Sequence, residues 1–260
     1  MTTRTPHMTL LEAAGELART VADEAMRWYR SNLVIETKAD GSPVTVADRS
    51  AEHAARAWLR EHFPHDGIQG EEFGDENPDA ARRWIVDPID GTNAFVRGVP
   101  LWATLVACCE GETVLAGAAS FPVVSEHIMA APGEGCWWNG SRAQVSNVSS
   151  LRDATGLTSD ERFPGRPLRA ARWRALAAET GLVRTWGDCY GYLLVATGRA
   201  EFMVDDIVNP WDVAALQPVI EEAGGVFTAW DGQRTAFGGS AIATNAALAE
   251  RVRRTLQEGA

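Results

Sequence analysis

The chain has no run of five or six basic residues, and its 24 lysines and arginines are outnumbered by 35 aspartates and glutamates, a formal charge of −11. Such a surface repels polyanions, which excludes nonspecific nucleic-acid binding. Cysteine is scarce: Cys108, Cys109, Cys136 and Cys189 show no CxxC spacing, and the first two adjoin within an apolar stretch. Reduced, mostly buried thiols are expected. The only close histidine pair, His62 and His65, flanks Phe63-Pro64 with no further Cys or His nearby, a poor zinc site. The apolar pattern near the N-terminus is interrupted by Glu12, Glu16, Asp23 and Glu24. That fits neither a secretory signal nor a membrane span, so a cytoplasmic location without a membrane partner is expected. No internal repeat or low-complexity linker appears.

What is present is an ordinary globular composition, 45% hydrophobic over 260 residues, enough for one large domain or two modest ones. Leu10, Leu11, Ala14, Leu17, Ala18, Val21, Ala25 and Trp28 recur at helical spacing and predict an amphipathic helix over 9–29. A second helix is predicted over 47–62, joined to the first by a polar loop or hairpin at 36–46 containing Gly41 and Pro43. Strands are expected near 101–109, 114–121 and 127–131, and Asn139-Gly140 is a hairpin-turn signal. After residue 148, helices at 169–180, 190–197 and 246–256 alternate with short strands at 183–186, 201–204 and 226–229, a pattern of α/β layering. The segment 212–223 reads as a helix kinked by Pro218 and stopped by Gly224-Gly225.

The most specific local signal is WIVDPIDGT, residues 84–92. Trp84-Ile85-Val86 suits a buried strand, and Pro88, which cannot donate to a sheet ladder, predicts its end near Asp87. Asp87 and Asp90, so close together, raise each other's pKa unless a cation or strong donors lie between them. Hard oxygen donors favour Mg²⁺ or Mn²⁺ over zinc, and the bent backbone turns the Ile89 carbonyl toward the same point. Gly91 and Thr92 supply a turn and a hydroxyl, and a helix starting there would offer free N–H groups to a phosphate.

Further segments join this one: Gly70-Glu71-Glu72 followed by Gly74, KADGSPVTVAD at 38–48, and Trp211-Asp212 ahead of Ala214-Ala215. Singly each has an ordinary structural reading: Asp48 as a helix N-cap, Asp212 as a first-turn helix acid, Glu71 and Glu72 as a solvated pair, Lys38 as a surface cation. Together and in this order they resemble the inositol monophosphatase family, metal-dependent and lithium-sensitive phosphatases of small phosphate monoesters, over nearly the whole chain. The resemblance implies a layered αβαβα sandwich, with an α+β half at 1–147 carrying most metal ligands and an α/β half at 148–260 carrying Asp212 and the specificity segment. It makes Glu71, Asp87 and the Ile89 carbonyl ligands of one Mg²⁺, and Asp87, Asp90 and Asp212 ligands of a second. Glu71 can also face a third, weaker ion, so two or three metals per site are implied. Asp48 and Thr92 match the pair that orients the attacking water, and Lys38 matches a lysine of electrostatic role. Asp90, Gly91, Thr92 and Asp212 would border the phosphate. The family usually has Asn-Phe after DGTx, whereas Ala94 precedes Phe95 here, and Asn93 is a candidate to replace the lost hydrogen bond.

GEEFG at 70–74, FVRGVPLWATLVA at 95–107, WGDCYGYLLVATGRAE at 186–201 and NPWDVAAL at 209–216 look like the histidinol-phosphate phosphatase branch. That implies hydrolysis of L-histidinol phosphate in histidine biosynthesis, by a homodimer. A substrate bearing an ammonium and an imidazole calls for carboxylates and flat apolar surfaces, and Asp188 and Asp205 are the candidates, with Trp102, Tyr190 and Asn209 weaker ones. Arg97 could approach phosphate or a neighbouring subunit. The competing readings are a broad inositol-1-phosphate phosphatase and a noncatalytic regulator binding a phosphorylated metabolite.

Overall fold

A computed structural model describes residues 9–38 and 41–258; Ala39 and Asp40 of the KADGSPVTVAD segment lie outside them. Helix α1 (Leu10–Met26) starts at a capping box in which Thr9 Oγ1 accepts from the Glu12 N–H while Glu12 accepts from the Thr9 N–H. Of the loop or hairpin expected at 36–46, strands β1 (Glu36–Thr37) and β2 (Pro43–Val44) pair antiparallel, and helix α2 (Val46–His62) follows.

The eight strands of the first sheet are β3 (Gly67–Gly70), β4 (Gly74–Glu76), β5 (Arg82–Asp90), β6 (Ala103–Glu110), β7 (Thr113–Phe121), β8 (Glu126–Ala131), β9 (Gly135–Trp138) and β10 (Ser141–Arg142). Their spatial order is β10-β9-β8-β7-β6-β5-β3-β4, antiparallel except for β3 with β5. Asn139 and Gly140, both at positive φ, make the tight β9–β10 turn. A short helix, α3 (Thr92–Val96), follows β5.

The second sheet holds β11 (Thr155–Leu157), β12 (Leu182–Arg184), β13 (Phe202–Asp205), β14 (Val226–Thr228) and β15 (Ala241–Thr244) in the order β12-β11-β13-β15-β14. Helices α4 (Pro167–Glu179), α5 (Cys189–Ala196), α6 (Pro210–Val213), α7 (Leu216–Glu222) and α8 (Ala249–Glu258) complete the chain.

Strand alternation distributes these elements into layers. On β5 and β6, Trp84, Val86, Val106 and Cys108 face a core shared with α1 and α2, while Ile85, Leu105, Ala107 and Cys109 face one shared with α5 and α7. On β13, Met203 points into that same middle core, and Phe202 and Val204 point outward to Trp173 of α4 and Val252 of α8. The stack is therefore helix pair, sheet, helices, sheet, helix pair: the expected αβαβα sandwich. All four cysteines are buried free thiols. Among the described residues no helix is long and apolar enough to cross a membrane.

Two boundaries differ from expectation. Strand β5 does not stop at Asp87 but continues to Asp90 with its register against β6 shifted between those residues. Pro88 is tolerated because β3 pairing ends at Val86, and Thr104 Oγ1 of β6 donates to the Pro88 carbonyl at 2.7 Å. The helix expected over 212–223 is two pieces, broken at Ala214-Ala215. A proline at 218 cannot donate to the carbonyl four residues earlier and its ring crowds that turn, so the break falls there. At this break Gly117 of β7 meets the Ala215 backbone so closely that a Cβ would overlap its carbonyl. Strands β11 and β15, only three and four residues long, escaped the periodicity reading.

Candidate active site

The shifted register of β5 shapes the acidic centre. Asp87 is 2% exposed, and its Oδ1 accepts the Ile89 N–H at 3.0 Å across the proline. Asp90 ends the strand, and its Oδ2 accepts the Cys189 N–H at 2.7 Å, which ties it to the start of α5. Asp212 comes from the other half of the chain at the third position of α6, where its Oδ2 accepts the Asn209 N–H at 2.6 Å. Carboxylate oxygens of Asp87, Asp90 and Asp212 all lie within 4.8 Å of one another.

Burial raises the pKa of each of the three, and crowding adds to it: Glu71, Asp90 and Asp212 push up Asp87, and Asp188 and Asp212 push up Asp90. Asp212 reaches about 7, through burial opposed by its Asn209 hydrogen bond and reinforced by Glu71. This crowded set, Asp87 buried and Asp90 and Asp212 partly so, has no ion-pair partner among the described residues and fits a divalent cation, and all-oxygen donors suit Mg²⁺ or Mn²⁺.

Glu71 stands beside this triad rather than within it. Its Oε1 accepts from Lys38 Nζ at 2.7 Å, and Glu72 Oε1 accepts from the same ammonium at 2.6 Å. Burial opposes the charge on Lys38, but its two carboxylate partners outweigh that and hold its pKa above the usual lysine value. Glu72 is pushed up to about 7, chiefly by burial.

Asp48 is both a helix-capping acid and part of the site. Its Oδ2 accepts from the N–H and hydroxyl of Thr45, the actual N-cap of α2, at 2.8 and 2.7 Å. Its Oδ1 faces Thr92 Oγ1 at 3.4 Å, and Thr92 also reaches the Ile89 carbonyl at 3.0 Å. Gly91, at φ 85°, makes the turn into α3, and Ala94 N–H bonds back to the Gly91 carbonyl at 2.8 Å. Asn93 does not substitute for the missing family asparagine: its Oδ1 turns outward to Arg97 at 2.9 Å, which also accounts for Arg97.

Beyond the acids, a cavity of about 220 Å³ is lined by Asp90, Ser159, Asp188, Cys189, Tyr192, Asp205 and Asp212. A neighbouring cleft of about 620 Å³ is lined by Ser42, Gly91, Thr92, Asp160, Glu161, Arg162 and Asp188. A wider hollow of about 840 Å³ near Arg142, Ser146, Asn147 and Glu222 lies apart from the acidic centre, so size does not locate the chemistry. Asp188, at the left-handed φ of 51°, borders both of the first two. Its N–H donates to Ser159 Oγ at 2.8 Å. Asp205 is held from two sides, by the Ser159 N–H at 3.0 Å and the Tyr192 hydroxyl at 2.9 Å, and burial raises its pKa to about 6. Trp102, fully buried against Tyr29 and Phe95, and Tyr190, stacked edge-on to Phe121, line neither cavity. Both are packing residues: Trp102, just ahead of β6, lies in the core shared with α1 and α2, and Tyr190 of α5 packs against the middle core. Ser159 lies in none of the quoted segments, and nothing within 186–201 singles out Tyr192; the convergence of β11, α5 and β13 reveals both.

A sequence profile of the inositol monophosphatase family matches residues 7–259, and the chain belongs to that family. It is a phosphatase, a hydrolase of phosphate esters. It is similar to the histidinol-phosphatase of Chlorobaculum parvum, 40% identical over 89% of this chain and 90% of that one. It is 39% identical to the histidinol-phosphatase of Mycobacterium tuberculosis over 97% and 96% of the two chains. Among solved structures, the Thermotoga maritima IMPase superposes with a TM-score of 0.86 at 30% identity, covering 96% of this chain and 97% of that one.

Proposed function

We propose that this protein hydrolyses L-histidinol phosphate to L-histidinol and phosphate, with magnesium as its cofactor. The observation that carries the substrate is the acidic far wall of the cleft, where Asp188 and Asp205 stand behind the Asp90–Asp212 pair. A phosphate ester with a cationic leaving group matches a site that binds metal at one end and presents carboxylates at the other. The similarity to histidinol-phosphatases over nearly the full chain supports the same reading.

In this reading Asp87, Asp90, Asp212, Glu71 and the Ile89 carbonyl hold Mg²⁺. A bound divalent cation supplies charge neutralisation at the phosphoryl oxygens and acidifies water. Thr92 and Asp48 orient the attacking water and draw its proton: Asp48 Oδ2 is already committed to Thr45, which leaves Oδ1 directed at the Thr92 hydroxyl. The new bond forms from water oxygen to phosphorus as the ester P–O bond breaks, with no covalent enzyme step required. Backbone N–H groups at Gly91 and Thr92 face the phosphate. Lys38 pairs with both Glu71 and Glu72 and holds their side chains in place. Asp188 receives the substrate's ammonium, and Asp205, with both oxygens already accepting one hydrogen bond, shapes that end of the pocket.

The test is kcat/KM on L-histidinol phosphate against inositol-1-phosphate. A clear preference for the first is expected, and equal or better turnover of the inositol ester would overturn the substrate in favour of a broad inositol-1-phosphate phosphatase. Asp188→Asn should raise KM for the cationic substrate roughly 10–100-fold, the loss of one charged hydrogen bond, and change KM for a neutral ester little. The homodimer implied by the family resemblance and the cytoplasmic location expected from the N-terminal pattern belong to this proposal, and light scattering checks the first.

A further inference from the structure

We infer that Glu52, Arg56 and Arg60 of α2 are positioning residues that hold the turn bearing Glu71 against the metal-binding acids. The inference rests on the assignment of Glu71 as a metal ligand in the proposed function.

Residues four apart on a helix share one face, and this face of α2 carries three successive charges aimed at a single turn, the link between β3 and β4. Glu52 is fully buried. Its Oε2 accepts the Glu72 N–H at 2.7 Å and its Oε1 accepts the Phe73 N–H at 3.2 Å, the two backbone donors that immediately follow Glu71. Arg56 neutralises that carboxylate through Nε and Nη2 at 2.9 and 2.7 Å, and also donates to the Gly74 carbonyl. Its Nη1 reaches Glu76 at 3.1 Å, and Arg60 closes on Glu76 with two bonds of 2.8 and 2.7 Å. The turn is thus gripped along its backbone from residue 72 to residue 74 and, beyond it, by the Glu76 side chain.

Gly70 completes the fit. A Cβ there would overlap the Glu52 carboxylate, so the glycine is what lets the buried acid reach past the strand end to the turn amides. Strand β4 is three residues long and lies at the sheet edge, with β3 its one neighbour. Few ladder bonds hold it, and the bonds from α2 take their place. The Glu71 side chain is fixed from the opposite direction by Lys38. The Glu71 N–H itself donates to the Val86 carbonyl of β5 at 3.3 Å, so the turn after this acid and its side chain are set by different elements, α2 and the segment after β1.

Supporting partners of metal ligands are worth roughly 10–100-fold in metal affinity. Glu52→Gln keeps the volume but turns one acceptor oxygen into an N–H₂ that faces a backbone N–H. It should weaken Mg²⁺ binding about tenfold or more in a calorimetric titration without substrate, and speed hydrogen exchange of the Glu72 and Phe73 amides. kcat at saturating magnesium should stay within about twofold, a split that general loss of structure would not produce. Arg60→Gln, at a mostly solvent-exposed side chain, should shift both in the same direction by a smaller factor. Wild-type magnesium affinity or wild-type turn exchange in folded Glu52→Gln overturns the inference. Should that variant not fold, unchanged affinity in Arg60→Gln overturns it. Glu71→Gln in the same titration separates the two levels. If it too binds magnesium normally, the ligand assignment falls and takes this inference with it; if it binds weakly while Glu52→Gln does not, the positioning role alone falls.

Discussion

Asp90 serves two partners at once: its carboxylate belongs to the three-acid cluster, and its Oδ2 accepts the Cys189 N–H that begins α5. Asp90→Asn keeps an acceptor for that N–H at nearly constant volume while removing the charge. It should leave the melting temperature nearly unchanged and cut kcat/KM by more than the roughly 10–100-fold typical of outer metal partners. Near-normal turnover would contradict the metal-ligand role. Asp48 shows the same economy, because the oxygen that caps α2 through Thr45 leaves the other free for Thr92. Both residues fit their ordinary helix-capping or strand-ending descriptions as well as their chemical ones, and no single-residue pattern could have separated the two.

At the level of elements, the break between α6 and α7 matters more than either helix. Gly117 lets β7 approach the Ala215 backbone, and α6 carries Asp212 three residues earlier. Gly117→Ala should destabilise by about 1–3 kcal/mol through overpacking, read from chemical denaturation, and lower magnesium affinity by displacing α6. An unchanged midpoint would show that the contact has slack. A second element contact is titratable. His127 of β8 packs under Gly15 of α1, where a Cβ would come 3.3 Å from its Nε2, and neither ring nitrogen has a hydrogen-bond partner among the described residues. Burial, with Arg19 nearby, pushes its pKa down to about 4. The folded protein thus holds a neutral ring that the unfolded chain protonates below about 6.5. The contribution of this neutral burial is fully present above about pH 6.5 and is lost as pH falls toward 4. The Tm difference between the protein and His127→Leu, followed across that window, should move in favour of the variant as pH drops; a pH-independent difference would refute it.

At the scale of the whole molecule, the centre is assembled from both sheets. Asp87 and Asp90 lie on β5 of the first, Asp205 on β13 of the second, and between them Asp188 immediately precedes α5 and Asp212 lies on α6. An ion bridging the two halves stabilises only the folded chain. Magnesium at about a hundred times its dissociation constant should add about 2.7 kcal/mol. For a chain of this size that raises Tm by several degrees, at about 2–4 °C per kcal/mol. A melting curve indifferent to magnesium would argue that the cluster binds no cation in the native state.

The sequence alone determined the family, the acidic centre and most elements of eight residues or more, because these leave local traces: helical spacing in α1 and α2, apolar runs in β6 and β7, and a proline between two aspartates. Strands β11 and β15 were not expected, although the equally short β12, β13 and β14 were, and it is pairing with β13 that places both. Nor could the sequence show that β5 runs on through Pro88, which depends on β3 ending at Val86 and on Thr104 reaching across from β6. Tertiary structure decided that Trp102 and Tyr190 are packing residues, that Ser159 and Tyr192 brace Asp205, and that Glu52 grips the turn behind Glu71. These are contacts between residues distant along the chain, and only packing brings them together.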